Sequence, residues 1–156
     1  MTVSWRKIEL ARAVWGLGLL CAPRWTLHRV HRIEVDATSV WVARVLGARQ
    51  VAQATLSGAS PSPEILALGV WVDLAHASSA LALAVVDRSR ASAGLTDTAV
   101  ASVWAVRGWH DLRVAPVPRP THDRRRDAMA RAVLGRVPGG APLRRMVRAR
   151  REGEPA

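Results

Sequence analysis

The chain contains no phenylalanine, no tyrosine, a single lysine and a single cysteine. One thiol, Cys21, excludes an intrachain disulfide and a cysteine-based metal cluster. No nucleophile motif, phosphate-cradling glycine loop or cysteine–histidine metal signature occurs. The sequence therefore offers no catalytic residue, no metal site and no cofactor site. Also missing is any clean run of about 20 apolar residues, the usual mark of a membrane-spanning helix. No segment alternates with period two between turn signals, which argues against strands.

What is present is a helical chain rich in small and aliphatic residues, with tryptophan as the only aromatic, seven times in 156 residues. Arginine stands almost everywhere a basic residue occurs, a bias that looks like a GC-rich bacterial genome rather than a functional choice. Helical periodicity predicts four helices. The first runs from about Trp5 to Ala22, with Pro23 as its stop. A polar, basic connection from Arg24 to Thr38 follows. The second helix covers about Ser39 to Ser57, with Gly58 behind it. Ser62 caps the third and Pro63 fits its first position; it reaches about Val86. Ser92 is expected to cap the fourth, which ends near Trp109. Short links make helices two, three and four antiparallel neighbours.

The formal charge of +11 is uneven. Residues 1–111 carry 11 basic and 8 acidic side chains, whereas residues 112–156 carry 12 arginines against 4 acidic ones. The expected organisation is a helical domain over 1–111 and a Pro/Arg-rich tail over 112–156. Pro116, Pro118 and Pro120 stiffen its start, and Asp123 to Val137 is its best helical stretch. The tail otherwise reads as mostly disordered and solvated. Its arginines, Arg124, Arg125, Arg126, Arg144, Arg145, Arg148, Arg150 and Arg151, suit anionic lipid headgroups. Nucleic acid is a poor match, because the tail has no aromatic ring on which bases stack.

Two patterns point to a membrane. Trp5 and Trp25 bracket the first helix by 20 residues, or roughly 30 Å, the thickness of a hydrocarbon core. Charges also fall on small-residue stripes: Asp73 with Gly69, Ala77 and Ala80, Asp97 with Gly94, Ala101 and Ala105, Arg44 with Gly47 and Ala48. Small stripes let membrane helices approach closely, with polar residues facing away from lipid. A signal peptide is not expected, since Leu19-Leu20-Cys21 occupy positions where cleavage needs small residues. The reading is an inner-membrane protein with its basic tail in the cytoplasm. Against it stands the second helix, with Arg44, Arg49, Gln50 and Gln53. The arginines of the first loop, on the outer side of a four-span topology, also break the positive-inside rule, and a three-span arrangement would avoid that.

Folding the chain at its turns gives depths for the charges. Arg49 and Asp73 lie twelve residues either side of residue 61, and so at one level. Arg44 and Asp97 form a second expected pair, while Glu9 and Arg12 pair with each other or join the network. His76 and Gln53 are further polar candidates, and His28, His31 and His110 read as weaker ones.

The stretch Arg44-Val-Leu-Gly-Ala-Arg49-Gln, followed by Val72-Asp73-Leu-Ala-His-Ala, resembles a family of small uncharacterised four-helix bacterial membrane proteins. These carry R-x-x-G-x-R on the second helix and an aspartate on the third. The resemblance covers roughly residues 5–110, implies the four-helix membrane bundle, and implies no activity. The expected role is a non-enzymatic accessory or scaffold subunit that docks on a membrane-protein partner or a second copy. The alternatives are a small-molecule or proton carrier using the charge network, and a soluble bundle whose tail binds nucleic acid.

Overall fold

The computed structural model describes residues 7–58, 61–114 and 124–153, and every regular element among them is helical. The chain runs through α1 (Lys7–Cys21), α2 (Pro23–Thr26), a wide π turn (Leu27–His31), α3 (Ala37–Ser57) and α4 (Pro63–Val86). A 3-10 turn (Arg88–Arg90), α5 (Ala91–Val114), α6 (Arg124–Leu134) and α7 (Gly140–Glu152) complete it. Trp5 and the proline link at 116–120 lie outside the described residues, as does the side chain of Arg124.

Local chemistry explains the boundaries. α1 stops before Pro23, whose missing N–H suits the first position of α2. Asp36 and Ser39 form a reciprocal capping box at the head of α3. Ser62 Oγ accepts from Ile65 N–H and starts α4. The expected cap Ser92 is instead inside α5, and Asp87 caps the preceding 3-10 turn by accepting from Ser89 N–H.

Four long helices pack as two pairs, α1 along α3 and α4 along α5. Both contacts use small residues. A methyl group added at Gly47 would lie 2.6 Å from the Gly16 carbonyl oxygen, and one at Gly94 would lie 2.6 Å from that of Ala80. Backbones this close leave no room for side chains between them, so the interior is lined by Ala43, Ala54, Ala77, Ala80, Ala101 and Ala105. The larger apolar side chains point outward instead: Leu10, Val14 and Leu17 on α1, Val42 and Val45 on α3, Leu74, Leu81 and Val85 on α4, Val103 and Val106 on α5. Among the described residues one helix, Pro63–Val86, is long and apolar enough to cross a membrane.

Three expectations are corrected. The segment Arg24 to Thr38 is not a plain loop: α2 and the π turn occupy most of it, closed by Arg32 in the left-handed region. α5 continues to Val114, so the boundary at residue 111 falls inside a helix whose Leu112 is buried. The tail is not mostly disordered, because α6 and α7 fold as a hairpin onto α4 and bury Ala130, Leu134, Leu143 and Val147 near Leu66, Ala67 and Val70. Met129 of α6 is exposed, while Ala130 beside it is fully buried.

Candidate functional site

Asp73 lies on α4 with 1% of its surface exposed. Arg12 of α1 grips it with both guanidinium ends, Nη1 to Oδ1 at 3.1 Å and Nη2 to Oδ2 at 3.0 Å. Arg49 of α3 donates Nη2 to Oδ1 at 2.9 Å, and Gln53 donates Nε2 to Oδ2 at 3.4 Å. Glu9, one turn before Arg12, sits 3.6 Å from its Nε. Two carboxylates therefore face two guanidiniums, and the cluster is electrically balanced. The two-ended Arg12 contact is the strongest geometry available to such a pair.

The helix register produces this arrangement. Glu9, Arg12, Gly16 and Leu19 form the buried stripe of α1, and Asp73, Ala77 and Ala80 that of α4. Arg12 is also roofed by Trp104 of α5, its Cζ lying 5.4 Å from the ring centroid. A cation over an aromatic face gains electrostatic stabilisation. Trp104 thus belongs to the site, and its mid-helix position was the only sequence clue. The space left among Glu9, Arg12, Gln53, Asp73 and Gly108 is about 10 Å³, at or below what one water molecule occupies. Among the described residues the cluster is closely packed at this level.

Arg44 is not part of this cluster. It is exposed on α3 and makes no ion pair among the described residues. α3 packs along α1 while α5 packs along α4, and the exposed Arg44 side chain does not reach Asp97. Asp97 instead meets His31, whose Nε2 lies 3.1 Å from Oδ1. His31 is 2% exposed, at the end of the π turn, and its Nδ1 has no hydrogen-bond partner among the described residues. His76 is half-buried one turn beyond Asp73, and its ring makes no hydrogen bond to a described residue. His28 and His110 are exposed. Among the described residues no group of three metal-ligating side chains converges.

The tail arginines divide by role. Arg151 donates Nη2 to Glu64 Oε2 at 2.8 Å, and Arg131 donates Nη1 to Glu64 Oε1 at 2.9 Å. Arg151 also approaches Asp127 at 3.5 Å, and Trp71 Nε1 donates to the Pro138 carbonyl at 2.8 Å. Ser62 Oγ bonds Asp127 Oδ1 at 2.5 Å. Glu64, in the first turn of α4, thereby fastens both tail helices. Arg126 donates to the Leu56 carbonyl and Arg150 is half-buried. Arg144, Arg145 and Arg148 remain exposed, bordering a cleft of about 480 Å³ floored by Leu134 and Val147. Arg125 is exposed as well.

No protein-family model matches the chain, and no curated protein or solved structure matches it either.

Proposed function

We propose that the protein is a small non-enzymatic integral membrane protein, an accessory or scaffold subunit of the inner membrane. In this reading α1, α3, α4 and α5 lie across the bilayer, and the α6–α7 hairpin sits at the cytoplasmic leaflet. The observation that carries it is the reversed polarity of the bundle: Arg12 and Asp73 are 4% and 1% exposed, while Leu74 is 50% and Val85 is 75% exposed. Water-soluble helices normally turn their leucines and valines inward and their charges outward. Only 22% of the most apolar window of α4 is buried, where the core helix of a soluble protein is mostly covered. Trp25 and Trp41 are exposed at one end of the bundle and Trp109 toward the other, as interfacial tryptophans are. The resemblance to small four-helix bacterial membrane proteins agrees with this architecture.

The small space at the charge cluster favours a scaffold over a carrier. Among the described residues Arg12, Arg49, Gln53 and Asp73 bond one another and leave only about 10 Å³ beside them. Their role is to fix how the two helix pairs meet, and the exposed Arg144, Arg145 and Arg148 hold the hairpin to anionic headgroups. A partner subunit or second copy docks on the outward apolar faces.

Fractionation tests the reading. The protein remains with membranes through carbonate and high-salt washes and is released by detergent. Release by salt alone overturns the proposal in favour of a soluble bundle. Proton or solute flux in proteoliposomes that disappears on Asp73→Asn, with folding intact, overturns the scaffold assignment in favour of a carrier.

A further inference from the structure

At the end of the bundle away from the tail hairpin lies a second cavity, of about 200 Å³. Its walls are largely apolar, from Leu19, Leu27, Val42, Ala43 and Leu46, and its polar groups are led by His31 and Asp97. It is smaller than the ~300–1,000 Å³ pockets that take drug-sized molecules, and so suits a single ring. The buried imidazole is half satisfied: Nε2 has Asp97, and Nδ1 has no partner among the described residues. A buried unpaired nitrogen is costly, and an oxygen from a bound molecule would complete it. As the neutral ring with its proton on Nε2, His31 offers Nδ1 as an acceptor to a hydroxyl; as the cation it offers Nδ1–H to a carbonyl.

Charge selects further. His31 is matched by Asp97, and Arg90 at the cavity wall is matched by Asp36 at 2.9 Å. With His31 as the cation both pairs are balanced and leave no net charge for an ion, so the occupant is neutral and its oxygen accepts from Nδ1–H. Thr38 and Val42 also line a shallow outer groove along α3 that contains Trp41 and Val45. Cavity and groove therefore adjoin, one shaped for a head and the other for an apolar chain.

We propose that this end of the protein binds a lipid-soluble ring compound with a hydrogen-bonding oxygen, the chemistry of a quinone or phenol on an apolar tail, with its ring beside His31 and its tail along α3. The site is separate from the Asp73 cluster. The ring cavity does not depend on the membrane assignment, whereas the tail groove does.

The test uses the purified full-length protein in detergent micelles. Trp15 has its ring centroid 6.0 Å from that of His31, so a quinone beside His31 quenches it. Duroquinone, a tailless ring, is titrated first, then decylubiquinone. Both quench tryptophan emission saturably, and Trp15→Leu removes the saturable part. His31→Leu weakens binding about tenfold or more. Ala43→Leu extends a side chain from the cavity wall; it abolishes duroquinone binding while near-ultraviolet circular dichroism shows the fold retained. Val45→Arg, in the outer groove alone, weakens decylubiquinone but not duroquinone. Quenching that never saturates, equal affinity in Ala43→Leu, or displacement of decylubiquinone by dodecanol as effectively as by duroquinone overturns the proposal. Membrane release by salt would leave the duroquinone result standing, so the two readings fail separately.

Discussion

Replacing Asp73 by leucine is the sharpest perturbation of the bundle. The carboxylate is 1% exposed and receives hydrogen bonds from Arg12, Arg49 and Gln53. Without it Arg12, 4% exposed, keeps only Glu9 at 3.6 Å. Removing one partner of a buried ion pair costs about 3–5 kcal/mol, because the remaining charge stays desolvated. Arg49 has 22% of its side chain exposed and can turn toward polar surroundings. Arg49→Leu should therefore cost about 1 kcal/mol, Arg12→Leu about 3 and Asp73→Leu about 4. Neutralising all four charged members together should cost far less than the single changes summed, since well-packed apolar replacements of a buried charge cluster are often neutral. The assay is SDS titration of the detergent-solubilised protein, followed by near-ultraviolet circular dichroism. At about 1.4 kcal/mol per tenfold change in the unfolding constant the ranking is easily resolved. An Asp73→Leu cost below about 1 kcal/mol, or a larger cost for Arg49→Leu than for Arg12→Leu, refutes the reasoning.

Three further outcomes are expected. Gly94→Leu drives a side chain into Ala80 and Ala84 of α4, at under 3 Å even for its first carbon, and should cost about 1–3 kcal/mol or more, read from the same titration. Glu64→Gln removes the charge that Arg131 and Arg151 share, so amide hydrogens of α6 and α7 should exchange at least tenfold faster while those of α5 are unaffected; equal protection would show that this carboxylate does not hold the hairpin. The Ser39 N–H holds the Asp36 carboxyl below its usual range. A lowered folded-state pKa contributes stability above the unfolded value that is lost as pH falls through the folded one, so protection at the head of α3 should drop on acidification below about pH 4, and Asp36→Ala should remove that pH dependence.

Much of the helix layout was legible because it rests on local chemistry. Pro23 stops α1, and Ser62 with Pro63 starts α4, as the sequence predicts. Counting residues from a turn places Arg49 beside Asp73, because antiparallel helices share one rise per residue. Counting gives height but not direction, which is why Arg44 was paired with Asp97 although it points outward. The His31–Asp97 contact spans 66 residues and depends on a π turn, whose wider coil changes which face a residue occupies. The tail hairpin escaped notice because its helices are arginine-rich, and a few residues, Ala130, Leu134, Leu143 and Val147, form their buried apolar sides. Their burial depends on a docking surface on α4 that periodicity within the tail does not reveal.

The clasp at Glu64 has a consequence for biosynthesis. The carboxylate leaves the ribosome some 60 residues before Arg131 and nearly 90 before Arg151, the distances in sequence being 67 and 87. During that interval the nascent chain carries an uncovered negative charge at the head of its most apolar helix, together with Ile65, Leu66 and Val70. The α6–α7 hairpin closes over that helix head only once Arg131 and Arg151 have emerged, so the covered state of the start of α4 waits on residues made well after it.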